Sequence, residues 1–222
     1  MNLKPILRAN LQKYIEDFEL KNLSEDEAFE RFVNYQILSE SYPGVFENDS
    51  ELLDLITVGG GNDLGFDGIA ISLNDRLIRS KEDIDDLLSI YNKARFEITL
   101  IQSKNREKLE LGEFMKFTNG IVELLNDTIT SPANGDIIRW HDILQYILSD
   151  NIIIKWDSDP IVNTIYVTSG KWDNNQHFLG HEKTIRGVID DKGCFIMSKF
   201  RYVDAVKLTS IVKSNASRYE LV

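Results

Sequence analysis

The chain has one cysteine, Cys194, in 222 residues. That excludes an internal disulfide framework and fits a reducing cytoplasm. Beside glycine in "DKGCFIM", this thiol reads as a packed residue rather than a nucleophile. There are only four prolines, and no Pro/Gly/Ser-rich linker, repeat or low-complexity tract. Residues 1–222 are therefore expected to form a single domain. No apolar run approaches the roughly 20 residues needed to cross a bilayer. The opening "MNLKPILRANLQKY" lacks the apolar stretch and small-residue cleavage site of a secretory leader. Positive charge is scarce as well, with 25 Lys and Arg against 36 Asp and Glu and a net charge of −11. This argues against a strongly basic nucleic-acid binder. It does not argue against an enzyme that gathers carboxylates around a divalent cation.

At 42% hydrophobic residues, the chain can bury one substantial core. Leu3 to Leu20 has helical apolar spacing. Ser24 with Glu27 forms a capping box ahead of a second helix whose Phe29, Phe32, Val33 and Ile37 share a face, and Pro43–Gly44 are expected to end it. Leu52 to Val58 reads as a short strand running into glycines, and Phe66 to Leu73 as a strand. A surface helix is expected from near Ser80. Phe96 to Ser103 is β-branched and almost continuously apolar, the pattern of a central strand covered on both faces. Helices follow in "GEFMKFTNGIVELL" and "HDILQYILSD", separated by a polar break at Ser131–Gly135. "IVNTIYVTSG" is a further strand, "CFIMSKFRYV" another, and the end is weakly helical. This is a mixed α/β layout around one sheet.

The segment "TVGGGNDLGFDGIAISLN" from Thr57 carries the most unusual pattern. Its glycines are off the spacing of a dinucleotide loop, and a strand rather than a helix follows, so no helix N-terminus is available for a pyrophosphate. A tight turn needing positive φ explains the glycines but not Asn62, Asp63 and Asp67. Asp63 fits turn chemistry, or a water-mediated contact to a cation. Gln102-Ser103-Lys104 ends the central strand, with Gln102 and Lys104 on one face and Ser103 on the other. Alone, Lys104 reads as the first solvated residue after a strand. Combined with Asp67, the set permits phosphodiester hydrolysis. A carboxylate and nearby oxygens hold Mg²⁺, and an ammonium stabilises charge on the phosphate. His177 and His181 have helical spacing but no third ligand nearby, so they read as surface residues. Trp140, Trp156 and Trp172 read as packing residues. Lys104, Arg106 and Lys108, with Arg76, Arg79 and Lys81 behind them, could meet phosphates or form a solvated face.

The strings "AFERFVNYQILSE", "TVGGGNDLGFDGIAISLN", "FEITLIQSK" and "GEFMKF" resemble the N-terminal domain of the AIPR (abortive infection phage resistance) family, within the PD-(D/E)xK restriction-endonuclease-like superfamily. The resemblance runs from about Ser24 to Phe117, and "TIYVTSGKW" extends it. It implies an α/β fold with a restriction-endonuclease-like central mixed sheet flanked by helices. The core would span about residues 24–170, with an N-terminal helix and a C-terminal strand and helix as extensions. It also implies one Mg²⁺ (or Mn²⁺) site containing Glu30, Asp67, Gln102 and Lys104, the metal held by Asp67, Gln102, Ser103 and Glu30. Glu27 is the weaker helix candidate because the capping box already employs it. The implied activity is cleavage of nucleic acid, with DNA the expected substrate, in cytoplasmic antiphage defence. A homodimer, or further domains or subunits of a defence system, would be natural partners. One departure stands out. Gln102 occupies the usual position of the second metal carboxylate, which implies weaker metal binding or a larger role for Glu30 and the Ser103 carbonyl. The alternative is a catalytically weak nuclease-like domain that binds nucleic acid or protein.

Overall fold

The computed structural model describes residues 4–198 and 200–219. Helix α1, Pro5–Asp17, starts on a proline whose missing N–H would have no intrahelical partner anyway. It is shorter than the helix read from the sequence, whose first residue, Leu3, lies outside the described residues. Helix α2, Glu25–Leu38, opens with the expected capping box. The Ser24 hydroxyl accepts from the Glu27 N–H, and the Glu27 carboxylate accepts from the Ser24 N–H at 2.8 Å. The helix ends at Leu38 rather than at the Pro43–Gly44 pair; Gly44, at φ 76°, instead starts the short helix α3, Val45–Asn48.

Leu52 to Val58 does not form the expected strand. Most of it belongs to helix α4, Ser50–Ile56, capped by the Asp49 side chain, which accepts from the Leu52 N–H at 3.1 Å. Leu52, Leu53 and Ile56 are buried at helical spacing. A short apolar run carries no period that separates the two states, and here the cap decides.

Strand β1 is Gly68–Leu73 and β2 is Arg76–Leu77. Asn74 and Asp75 join them with φ of 49° and 64°, the left-handed pair that a tight antiparallel hairpin requires. Helix α5, Lys81–Ile90, is capped by Ser80. Strand β3, Phe96–Lys104, leads to helices α6, Leu111–Leu124, α7, Gly135–Ile147, and α8, Asp150–Ile153. Strand β4, Ile161–Thr168, follows, then α9, Gln176–Asp190, a 15-residue helix that the sequence pattern did not lead us to expect. The expected strand in "CFIMSKFRYV" is two short ones, β5, Ile196–Met197, and β6, Arg201–Val203. Helix α10, Ala205–Tyr219, ends the described chain.

The sheet runs β2-β1-β3-β4-β5, with β6 also on β4. β1 and β3 are antiparallel, from Gly68 opposite Ile101 to Leu73 opposite Phe96. β3 and β4 are parallel, from Glu97 opposite Ile161 to Lys104 opposite Thr168. A parallel neighbour needs a long crossover, which α6 to α8 provide. Helix α2 packs on β1 and β3. Helix α6 packs on the sheet through Phe114 against Tyr166, ring centroids 5.4 Å apart. Every residue of β1 is buried as a result. The mixed sheet flanked by helices agrees with the expected fold class. Buried apolar residues from Leu7 to Val212 form one connected core. Among the described residues, no helix is long and apolar enough to cross a membrane.

Candidate active site

The C-terminal end of β3 is where the expected residues meet. Asp67 immediately precedes β1, and its N–H donates to the Ile101 carbonyl at 2.9 Å, which continues the antiparallel ladder to the mouth of β3. The glycine-rich turn before it is seated on α6. A Cβ on Gly65 would stand 2.8 Å from the Phe117 main-chain nitrogen, and one on Gly120 would stand 2.0 Å from the Leu64 carbonyl oxygen. Only glycine lets these two backbones approach so closely. Asn134 closes the turn from the other side, its amide donating to the Gly59 carbonyl at 3.0 Å.

Asp67 is 4% exposed. Its Oδ2 accepts from the Ser103 N–H at 2.6 Å and the Ser103 hydroxyl at 3.2 Å. Among the described residues Oδ1 takes no hydrogen bond. The Lys104 ammonium lies 3.9 Å from Asp67 Oδ2 and 3.8 Å from Glu113 Oε2. Lys104 is thus not the freely solvated strand end that the tripeptide alone suggested. Gln102, two residues back on the same face, is 1% exposed, and its Oε1 accepts no hydrogen bond among the described residues. A buried amide oxygen with no donor is costly unless something else satisfies it.

Glu30 reaches this end of the sheet from α2. Burial raises its carboxyl far above the ordinary range, and the Asp67 carboxylate adds to the rise, while the Lys104 ammonium opposes it. Asp67 is raised as well, by burial, against the pull of Lys104 and the two Ser103 hydrogen bonds. Two carboxyl groups raised by burial, with an ammonium beside one of them, make this end of the sheet a candidate reactive site.

The remaining candidates take structural roles. Asp63 accepts from the Gly65 N–H at 2.7 Å and pairs with Lys116 at 2.6 Å, so it is a turn residue. Glu27 is spent on the capping box. The His181 ring shares a 2.7 Å hydrogen bond with Thr118 of α6. Trp140 is fully buried, and Trp172 stacks on Tyr202 with centroids 3.8 Å apart. Arg79 pairs with Asp49, and Arg106 with Glu110. Lys108 is exposed and lines a narrow recess with Lys104, Arg106, Glu110, Glu113 and Tyr166. Among the described residues, no three His, Cys, Asp or Glu side chains cluster closely enough to hold a metal by themselves. A cation here would need the amide and main-chain oxygens too. The unpartnered Gln102 Oε1 and the free Asp67 Oδ1 fit that need.

No protein-family model matches the chain, and no curated protein or solved structure matches it either. Its chemistry has to be read from the site itself.

Sequence reasoning missed two residues. Glu113, in the first turn of α6, became visible only once α6 was docked beside β3. Asn34 sits one turn after Glu30, and its side chain donates to the Asp67 carbonyl at 2.7 Å. A larger cleft of about 280 Å³, lined by Tyr42, Glu97, Asn163 and Arg201, lies toward the opposite end of β3.

Proposed function

We propose that the chain is a divalent-cation-dependent nuclease, with DNA as its expected substrate, acting in the cytoplasm in AIPR-like antiphage defence. The observation that carries the reading is the Lys104 ammonium 3.9 Å from Asp67 Oδ2, beside the buried, unpartnered Gln102 Oε1. Asp67 through Oδ1, Gln102 through Oε1, the Ser103 carbonyl and a deprotonated Glu30 would hold Mg²⁺ or Mn²⁺. Such an ion, when bound, neutralises charge on a phosphodiester and lowers the pKa of a water. The chain's own residues do the rest. The two Ser103 donors hold Asp67 in one orientation. Lys104 places a fixed positive charge where a phosphate gains negative charge. Glu30, whose carboxyl burial raises in the absence of the ion, would have to give up its proton to take the cation.

One observation favours the weaker reading, a nucleic-acid- or protein-binding domain with little catalysis. Gln102 is neutral, and Glu30 tends to keep its proton, so Asp67 is the main source of negative charge among the expected ligands. Incubation with plasmid, single-stranded DNA and RNA in Mg²⁺ or Mn²⁺ separates the two. The nuclease reading expects cleavage by the parent and none by Asp67→Ala. A parent that cuts none of these substrates in either cation gives way to the binding domain.

A further inference from the structure

A divalent cation at the mouth of β3 needs more negative charge than Asp67 alone supplies, and the structure holds a second carboxylate, Glu113 of the "GEFMKF" string, that has no part in the expected site. Glu113 sits in the first turn of α6. The Lys104 nitrogen lies 3.8 Å from Glu113 Oε2 and 3.9 Å from Asp67 Oδ2. One cation therefore already stands between a strand carboxylate and a helix carboxylate. Both acids also bear on the buried Tyr166 phenol, raising it after burial, Glu113 more than Asp67. Tyr166 lies opposite Gln102 across the β3–β4 pair. Gln102 is 1% exposed, with its Oε1 unpartnered, on the strand face it shares with Lys104.

We propose that Glu113 is the second carboxylate of the cation site, supplied by α6 in place of the neutral residue at position 102, and that the Lys104 ammonium balances the two acids until a divalent cation competes it away. This rests on the nuclease reading. It also gives Lys104 two tasks in succession, first as an internal counter-ion and then, once released, as a positive charge free to meet a phosphate. The plainer role for Glu113 is to hold Lys104 in place and favour the helix N-terminus.

Mn²⁺ binding to the full chain without nucleic acid, followed by calorimetry or by the paramagnetic resonance of free Mn²⁺, separates these roles. Removing even an outer-shell partner of a metal typically costs roughly 10–100-fold in affinity, so Glu113→Gln should weaken Mn²⁺ by at least about tenfold. Glu110→Gln, whose carboxylate pairs with Arg106, should bind as the parent does. Lys104→Met should bind Mn²⁺ more tightly, having lost the competing ammonium. The deciding comparison is Glu113→Gln added to Lys104→Met. A residue that acts only by holding Lys104 has no further effect there, whereas a ligand still weakens Mn²⁺. Equal affinity of the double variant and Lys104→Met, with melting temperatures confirming the fold, overturns the proposal. If Mn²⁺ binding requires Asp67 but not Glu113, this inference fails and the nuclease reading stands. If neither the parent nor Lys104→Met binds Mn²⁺, both fail.

Discussion

The Asn34 side-chain amide donates to the Asp67 main-chain carbonyl at 2.7 Å, tying helix α2 to the turn that leads into β1. Glu30 is one helical turn before Asn34, so this bond fixes the position of one acidic side chain relative to the other. Gly68 makes the approach possible, since a Cβ there would stand 2.4 Å from Asn34 Oδ1. Gly68→Ala is expected to destabilise by about 1–3 kcal/mol, as overpacked cores do. At roughly 2–4 °C per kcal/mol for a chain of this size, thermal melting reads the loss directly. Asn34→Ala combined with Gly68→Ala should cost less than the sum of the single changes, because removing the amide relieves the clash. Additive losses would mean that the two residues do not meet.

Lys104→Met keeps the apolar stem and deletes the charge. Its ion pairs are partly solvent-accessible, so the stability loss should lie near the top of the about 0.2–1 kcal/mol range of such pairs. Cleavage should fall by about 10²–10³, the usual weight of one preorganised electrostatic donor. A variant that cuts as fast as the parent would remove Lys104 from the site.

The elevated Glu30 carboxyl makes stability depend on pH with a definite sign. Its ordinary value is 4.5, and burial, with the Asp67 carboxylate, pushes it up to about 8 in the fold. Between those values the folded chain holds a proton that the unfolded chain has lost, so this group's contribution to stability falls as pH rises through the window. Glu30→Gln imitates the protonated form. The variant should melt close to the parent near pH 5 and above it near pH 8.5. A gap between the two melting curves that does not change with pH would show that Glu30 ionises normally.

Nucleic-acid binding by this chain is expected to be weak and steeply salt-dependent. A net charge of −11 gives no long-range attraction to a polyanion, and near the site the exposed bases are few, with Arg106 already paired to Glu110. Contacts to phosphates by a small basic strip lose affinity sharply between about 50 and 200 mM salt. Fluorescence anisotropy of labelled DNA across that range tests this; tight binding that survives high salt would require a different surface.

How much the sequence reveals depends on how local each cause is. The capping box of Ser24 and Glu27, the Ser80 cap and the long β-branched run of β3 are local chemistry, and all three elements are legible. Helix α9 is not. Its buried residues Phe178, Ile185 and Ile189 are sparse among polar neighbours, and its stability comes from packing on α6, which no local pattern announces. Helix α4 misleads for the opposite reason, since its apolar run suits two structures. Alternation along β3 puts Gln102 and Lys104 on one face, whereas placing Asp67 opposite them needs the strand register, and placing Glu113 beside Lys104 needs the docking of α6. The side chains that share a strand are legible; those brought by a helix from elsewhere are not.

The sheet's two margins bear on how copies of the chain can associate. One margin is β2, only two residues long. The other is made of two short strands, Ile196–Met197 and Arg201–Val203. Short and broken edge strands offer an incoming strand few free main-chain groups in a row, which is how natural sheets resist edge-to-edge growth. A dimer built by continuing the sheet through β2, β5 or β6 is therefore disfavoured.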